Sequence, residues 1–160
     1  MTALGPGDPF PPIDLFEDHG GRATLPRSES LYAFFKTTCP TCELAWPFLE
    51  RIRRLGEGGP ISLVGVSQDD PEQTAAFSHR LGTRLRTLFD PAPWRASDAV
   101  GLTNVPTLLL VGADQRIREA VVGFHKGKME ELGRHAAAAA ARPYEGLFHP
   151  EDGVPAVKPG

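Results

Sequence analysis

The chain contains two cysteines, Cys39 and Cys42, and both fall where a buried strand gives way to a helix. From Ser28 to Lys36 the sequence reads as a central strand, and from Leu31 on it is apolar and aromatic, the composition of a buried strand. After Cys39-Pro40-Thr41-Cys42, apolar residues return at Leu44, Phe48, Leu49, Ile52 and Leu55, spaced along one face of a helix. A Cys-x-x-Cys at a strand-to-helix junction is a redox signature with a physical basis. The free N–H groups of a helix start, and the positive end of its dipole, favour a thiolate at the first cysteine. The second cysteine lies within the first turn, close enough to close a small disulfide ring. Cys39 is therefore read as the nucleophile and Cys42 as the resolving thiol. A pair of small buried apolar side chains would suit scattered cysteines better than this placement. A zinc site needs two more ligands, and His19, His79, His125, His135 and His149 are dispersed without zinc-finger spacing. No metal is expected, and no cofactor beyond the redox-active disulfide of Cys39 and Cys42.

A chain of 160 residues suffices for one domain with a substantial core. The net charge of −3 and the 23% of charged residues give no sign of a nucleic-acid or membrane-surface partner. No apolar run reaches the length of about 18 residues that a membrane span needs. The first residues lack a basic and an apolar leader segment, so the expected location is the cytoplasm, an exported form being open if a leader has been removed. In a reducing compartment a lone vicinal pair is catalytic rather than structural. A disulfide across two residues closes too small a loop to stabilise a fold much.

Along the chain, residues 1–12 hold four prolines and two glycines and read as an irregular surface segment. Ile13–Phe16 and Ala23–Leu25 read as two short strands of a hairpin around Asp18-His19-Gly20-Gly21. The helix from Pro40 carries Pro47, which removes a backbone donor, and ends at Gly56 to Pro60. Ile61–Ser67 reads as a second buried strand. A helix from Pro71 to about Leu81 follows, capped by an aspartate, with Ala75, Ala76, Phe77 and Leu81 on its buried side. Leu85–Phe89 is a short strand, and Trp94 to about Val100 one or two helical turns. Leu108–Val111 and Arg116–Gly123 make a hairpin about the turn at Gly112–Gln115. Lys126–Ala141 is a helix ending in six alanines, read as helical surface. Residues 1–141 are thus one α/β domain. Residues 142–160 form a Pro- and Gly-rich extended tail, pinned near its start by Tyr144, Leu147 and Phe148.

Two landmarks together resemble the thioredoxin superfamily. One is the strand–Cys39-Pro40-Thr41-Cys42–helix unit, with Pro47 eight residues after the first cysteine. The other is Val105-Pro106-Thr107 before a buried strand, which is similar to that family's cis-proline loop. A finer likeness to the TlpA-like and redoxin (AhpC/TSA) branch lies in Gly5–Leu15, Val64–Glu72 and Gly101–Leu108. The resemblance implies a thioredoxin fold: a central mixed β-sheet flanked by helices, with an N-terminal hairpin extension and a helix–strand insertion. It implies a thiol–disulfide oxidoreductase acting on protein or small-molecule disulfides, with Pro106 cis. Val105, Thr38, Pro40 and Thr41 would then contact substrate. Expected partners are protein disulfide or dithiol clients and a recycling reductase or oxidase, with the chain itself a monomer.

The chain departs from that family in several places. Thioredoxins carry Trp just before the first cysteine and a buried Asp six residues before it; here these are Thr38 and Ala33. Reductive TlpA-like proteins often carry Glu six residues after it; here the residue is Ala45. The buried acid that helps deprotonate the resolving thiol has no counterpart at these positions. A peroxiredoxin-like peroxidase is the alternative, because Cys39-Pro40-Thr41 also suits peroxidatic sites. Those sites need Thr or Ser three residues before the cysteine and Pro seven before it, and Lys36 and Tyr32 stand there instead. A binding module with a vestigial pair is a second alternative. Lys36 reads as a solvated strand-end lysine, and Trp46, Phe48 and Trp94 read as packing residues, although the exposed rim near the site could use an aromatic such as Trp94.

Overall fold

The computed structural model describes residues 2–160. Ser30–Phe35 (β1) is buried along its whole length and lies at the centre of the sheet. An apolar run without polar alternation has to be covered on both faces, and that is its position here. It pairs in parallel with Ser62–Ser67 (β2) and antiparallel with Thr107–Val111 (β4). Arg86–Phe89 (β3) and Ile117–Val122 (β5) complete the order β3-β2-β1-β4-β5. Pro40–Leu55 (α1), Pro71–Leu81 (α2), Arg95–Ala99 (α3) and Lys126–Ala139 (α4) are the helices. Among the described residues, no helix is long and apolar enough to cross a membrane.

The sheet divides the core. Trp46, Leu49 and Ile52 of α1 pack with Phe35, Phe77 and Met129 on one face; Leu15, Phe34, Val64 and Leu109 fill the other. Trp46 sits against Phe35 and Phe77 with ring centroids 4.0 and 5.8 Å away, so Trp46 and Phe48 are packing residues as expected.

Four elements differ from the sequence reading. The segment expected as a hairpin of two strands turns back on itself through Glu17 N–H to Gly21 O and Ala23 N–H to Leu15 O, but forms isolated bridges rather than a regular ladder. Ala75 and Ala76 are exposed; Thr74 and Phe77 face inward, because Thr74 Oγ1 is held by Ser67 Oγ at 2.7 Å. The alanine run is not merely surface. Ala136 and Ala137 are buried, and Ala136 lies 3.4 Å from a side-chain carbon built on Gly56, so small residues on both sides bring α4 close to the end of α1. The fourth difference is the tail. Leu147 is buried and Phe148 lies tilted against Phe48 with ring centroids 4.6 Å apart, but residues beyond them are ordered too. Pro150–Asp152 forms a 3₁₀ turn, and Val157–Lys158 (β7) pairs antiparallel with Phe124–His125 (β6). Composition suggested an extended tail because few apolar residues are present; backbone pairing and one ion pair hold it instead.

Glu50 is the buried acid of α1. Its carboxylate accepts from Arg53 Nε and Nη2 at 3.0 and 2.7 Å, Arg54 Nε at 3.2 Å and Arg84 N–H at 2.8 Å. Burial alone would raise this carboxyl, but the Arg53 hydrogen bonds, the Arg84 N–H and the charges of Arg53 and Arg54 outweigh it and hold it below the ordinary range. Glu50→Ala should lower stability by about 2 kcal/mol, less than for a fully buried pair because Arg54 reaches solvent. A carboxyl depressed by folding contributes stability above its unfolded value and loses it as pH falls through the folded value. The gap between wild type and variant in urea unfolding should therefore shrink between neutral pH and about pH 3.

Candidate active site

The site forms where β1 ends and α1 begins. Pro40 occupies the first turn of α1, where its missing N–H costs nothing, and Cys39 is the N-cap. The cap acceptor is the Cys39 sulfur itself: Cys42 N–H donates to Sγ at 3.2 Å. Cys39 is partly exposed and Cys42 is fully buried, both as free thiols. The Val105–Pro106 peptide bond is cis. It brings the Val105 carbonyl to 3.4 Å from Cys39 Sγ, so two segments 66 residues apart in sequence meet at one sulfur.

Burial pushes the Cys42 thiol well above its ordinary value; the adjacent Cys39 sulfur and the charge of Asp69 act in the same direction. No acid stands at Ala33, which is buried in the same cluster as Cys42. The two thiols are therefore unequal in access, and burial holds Cys42 back from ionising. Alkylation of the reduced protein near neutral pH should label Cys39 and leave Cys42 unmodified, as read by peptide mass mapping. Equal labelling would contradict the burial of Cys42.

The other predicted residues are placed as follows. Thr38 and Pro40 are exposed beside the sulfur. Thr41 is buried, yet its hydroxyl neither caps α1 nor reaches Cys39; it donates to Pro159 O at 2.7 Å. Lys36 is exposed, with Nζ 5.9 Å from the centroid of the Trp94 ring. Trp94, expected to pack inside, is 44% exposed on the rim instead. Its backbone is left-handed (φ 56°) and its indole N–H donates to Gln68 O, so the ring is fixed outside the core. Among the described residues no group of three or more His, Cys, Asp or Glu side chains is placed to hold a metal ion.

Sequence reasoning missed two contributors. Asp69 accepts from Thr37 N–H at 2.6 Å and Thr37 Oγ1 at 2.9 Å, and so fixes the loop that leads into Cys39. The signal was the doubled Asp69-Asp70 before Pro71: only Asp70 caps α2, through Gln73 N–H at 2.8 Å, which leaves Asp69 free for the site. The second is the segment around Pro159, which composition alone did not bring near the cysteines.

Several solved structures share this architecture. A Chlorobium tepidum protein described as a thiol:disulfide interchange protein DsbE superposes with a TM-score of 0.73 at 21% identity, over 86% of this chain and 99% of that one. The thioredoxin domain of a thiol-disulfide oxidoreductase from Bacteroides vulgatus superposes with a TM-score of 0.71 at 16% identity, over 85% of this chain and 98% of its own. The chain is a thioredoxin-fold protein. Within that fold, the sequence is 28% identical over 99 residues to the thiol-disulfide oxidoreductase ResA of Halalkalibacterium halodurans. That stretch covers 61% of this thioredoxin-fold chain and 53% of the relative, so the match spans about half the relative's length. No family model matches the chain.

Proposed function

We propose that the chain is a thiol–disulfide oxidoreductase of the TlpA-like kind, with Cys39 as nucleophile and Cys42 as resolving thiol. The observation that carries this reading is the setting of Cys39 Sγ: an N–H donor at 3.2 Å from the start of a helix, the Val105 carbonyl at 3.4 Å, and a second thiol buried one turn behind. The likeness to ResA and to the interchange proteins supports it. As a thiolate, Cys39 attacks one sulfur of a substrate disulfide, forming a Cys39–substrate disulfide and expelling the other substrate sulfur as a thiolate. The Cys42 thiolate then attacks Cys39 Sγ, forming the Cys39–Cys42 disulfide and releasing the second substrate thiolate. Two electrons pass from the dithiol to the substrate, and a partner dithiol must return them; with a partner disulfide the same steps run in reverse. Pro106 presents the Val105 backbone beside the sulfur, and the exposed Thr38 and Pro40 complete the surface that a substrate meets, with Thr41 buried behind it.

Reduction of a disulfide-linked peptide with dithiothreitol as recycling reductant is the test. Turnover should depend on both cysteines, while hydrogen peroxide should be consumed no faster than by an ordinary exposed thiolate. Lys36 and Tyr32, the latter buried, hold the positions a peroxide pocket would need for Thr or Ser and for Pro. Fast peroxide consumption without peptide turnover would instead support the peroxidase. A pair that cycles with neither would support a binding module.

A further inference from the structure

The segment 154–160 reaches Thr41 and the Val105 loop, on either side of the site. Its base is held down by Arg51, whose guanidinium donates to Asp152 Oδ2 and Oδ1 at 2.7 and 2.9 Å and to Leu147 O at 3.0 Å. Val154 packs against the main core cluster. Lys126 N–H then donates to Ala156 O at 2.9 Å, and β7 runs antiparallel to β6 with Lys158 opposite Phe124 and Val157 opposite His125. Gly123 has a left-handed backbone (φ 77°), and a Cβ there would come within 2.8 Å of Lys158 O, so glycine at 123 admits the segment. Beyond β7, Thr41 Oγ1 donates to Pro159 O at 2.7 Å, and Asn104 Nδ2 to Gly160 O at 3.3 Å. Gly160 lies so close to the Val105 carbonyl that any Cβ at 160 would collide with that oxygen.

These contacts span Thr41 of the cysteine motif and Val105 of the proline loop, the two segments that flank Cys39 Sγ. An extended polypeptide presenting a disulfide to that sulfur must pass between the same two segments. We infer that residues 156–160 are a built-in occupant of the groove over Cys39, which an extended polypeptide client must displace but a small disulfide need not. The identity of the competitor rests on the proposed oxidoreductase reading; the place of the segment does not.

The hold is strong enough to compete and weak enough to release. A pair of two-residue strands is marginal alone. Ala156, Val157, Pro159 and Gly160 are exposed, Val157 to 59%, so little apolar surface is at stake on leaving. A tethered occupant nevertheless acts at an effective concentration of the order of millimolar. It lowers the apparent affinity for a competing polypeptide by the fraction of time the groove is open.

The experiment compares three reduced proteins: the full chain, a chain lacking residues 155–160, and Gly160→Val, which keeps every residue but cannot seat the segment against Val105. Cys39 is alkylated with iodoacetamide and with a decapeptide-linked maleimide, and each protein also meets a disulfide-linked decapeptide in single turnover. Both variants should react about tenfold faster than the full chain with the peptide maleimide and the peptide disulfide, and within about twofold of it with iodoacetamide. A synthetic peptide of residues 154–160 at millimolar concentration should protect the truncated chain again. If truncation costs the fold, as read by circular dichroism, Gly160→Val decides alone. Equal rates with the peptide maleimide for the full chain and Gly160→Val would overturn the inference. Faster maleimide labelling without any reaction of the peptide disulfide would leave the occupant in place and overturn the oxidoreductase reading instead.

Discussion

Cys42→Ser should stop turnover and leave the protein covalently joined to its substrate. Cys39 Sγ is the partly exposed sulfur, and Cys42, fully buried one turn behind it, is the only other thiol in the chain. Once Cys39 has attacked, the mixed disulfide can be released only by another thiol, and serine at 42 cannot supply one. With a disulfide-linked peptide and no added reductant, the variant should accumulate one peptide per chain at the wild-type rate of first attack. Multiple turnover should fall by about a thousandfold or more. Cys39→Ser should form no adduct at all. Intact-mass measurement separates the outcomes, and an adduct on Cys42 in the Cys39→Ser variant would reverse the assignment of roles.

The pH dependence of release should be steep, and one substitution should flatten it. Burial first, and the charge of Asp69 with it, hold the Cys42 thiol above its ordinary value, and both persist once Cys39 is tied up in the mixed disulfide. A thiol whose pKa is raised stays neutral at pH 7, and its thiolate fraction grows about tenfold per pH unit until the raised value is reached. Release of the second substrate thiol should therefore accelerate about tenfold per unit from roughly pH 6 to pH 9, without a plateau. Ala33, fully buried on β1 and in the same cluster as Cys42, stands where a proton acceptor is missing. Ala33→Asp should speed release about tenfold at pH 7 and weaken its pH dependence, at a cost of about 3 kcal/mol for a buried carboxyl short of partners. Single-turnover kinetics on wild type and variant, with urea unfolding for the stability cost, measure both. Release that is already pH-independent in wild type would mean that another group takes the proton, and Asp69, two hydrogen bonds from Thr37, would be the first to replace.

The strand–Cys39–Cys42–helix unit was legible because it combines local signals that agree. A short apolar run rich in aromatics reads as a covered strand, and two thiols at a helix start have an electrostatic reason to be there. The cis Val105–Pro106 bond was legible only through family resemblance, since nothing in Val-Pro-Thr itself fixes the isomer. The phase of α2 was misread because Ala75 and Ala76 are apolar by type, whereas Thr74 finds a buried hydroxyl partner in Ser67. Ala136 of α4 was misjudged for the opposite reason: it lies in close approach to Gly56, a neighbour far away in sequence. Trp94 ends outside the core because its left-handed backbone and its bond to Gln68 fix it there. The place of residues 156–160 was invisible to composition because they are held by main-chain pairing with β6 and by hydrogen bonds from Thr41 and Asn104 rather than by apolar burial.

The proposed function requires that Cys39 and Cys42 form a reversible dithiol–disulfide couple within one chain. It is tested most directly by equilibrating the protein in dithiothreitol and glutathione redox buffers, quenching with acid and alkylator, and counting oxidised pairs by mass. A single two-electron transition is expected, with both cysteines lost together to one intramolecular disulfide, at a potential within the span of characterised dithiol proteins, about −270 to −120 mV. Cys39 forming only mixed disulfides with glutathione, with Cys42 reduced throughout, would contradict it.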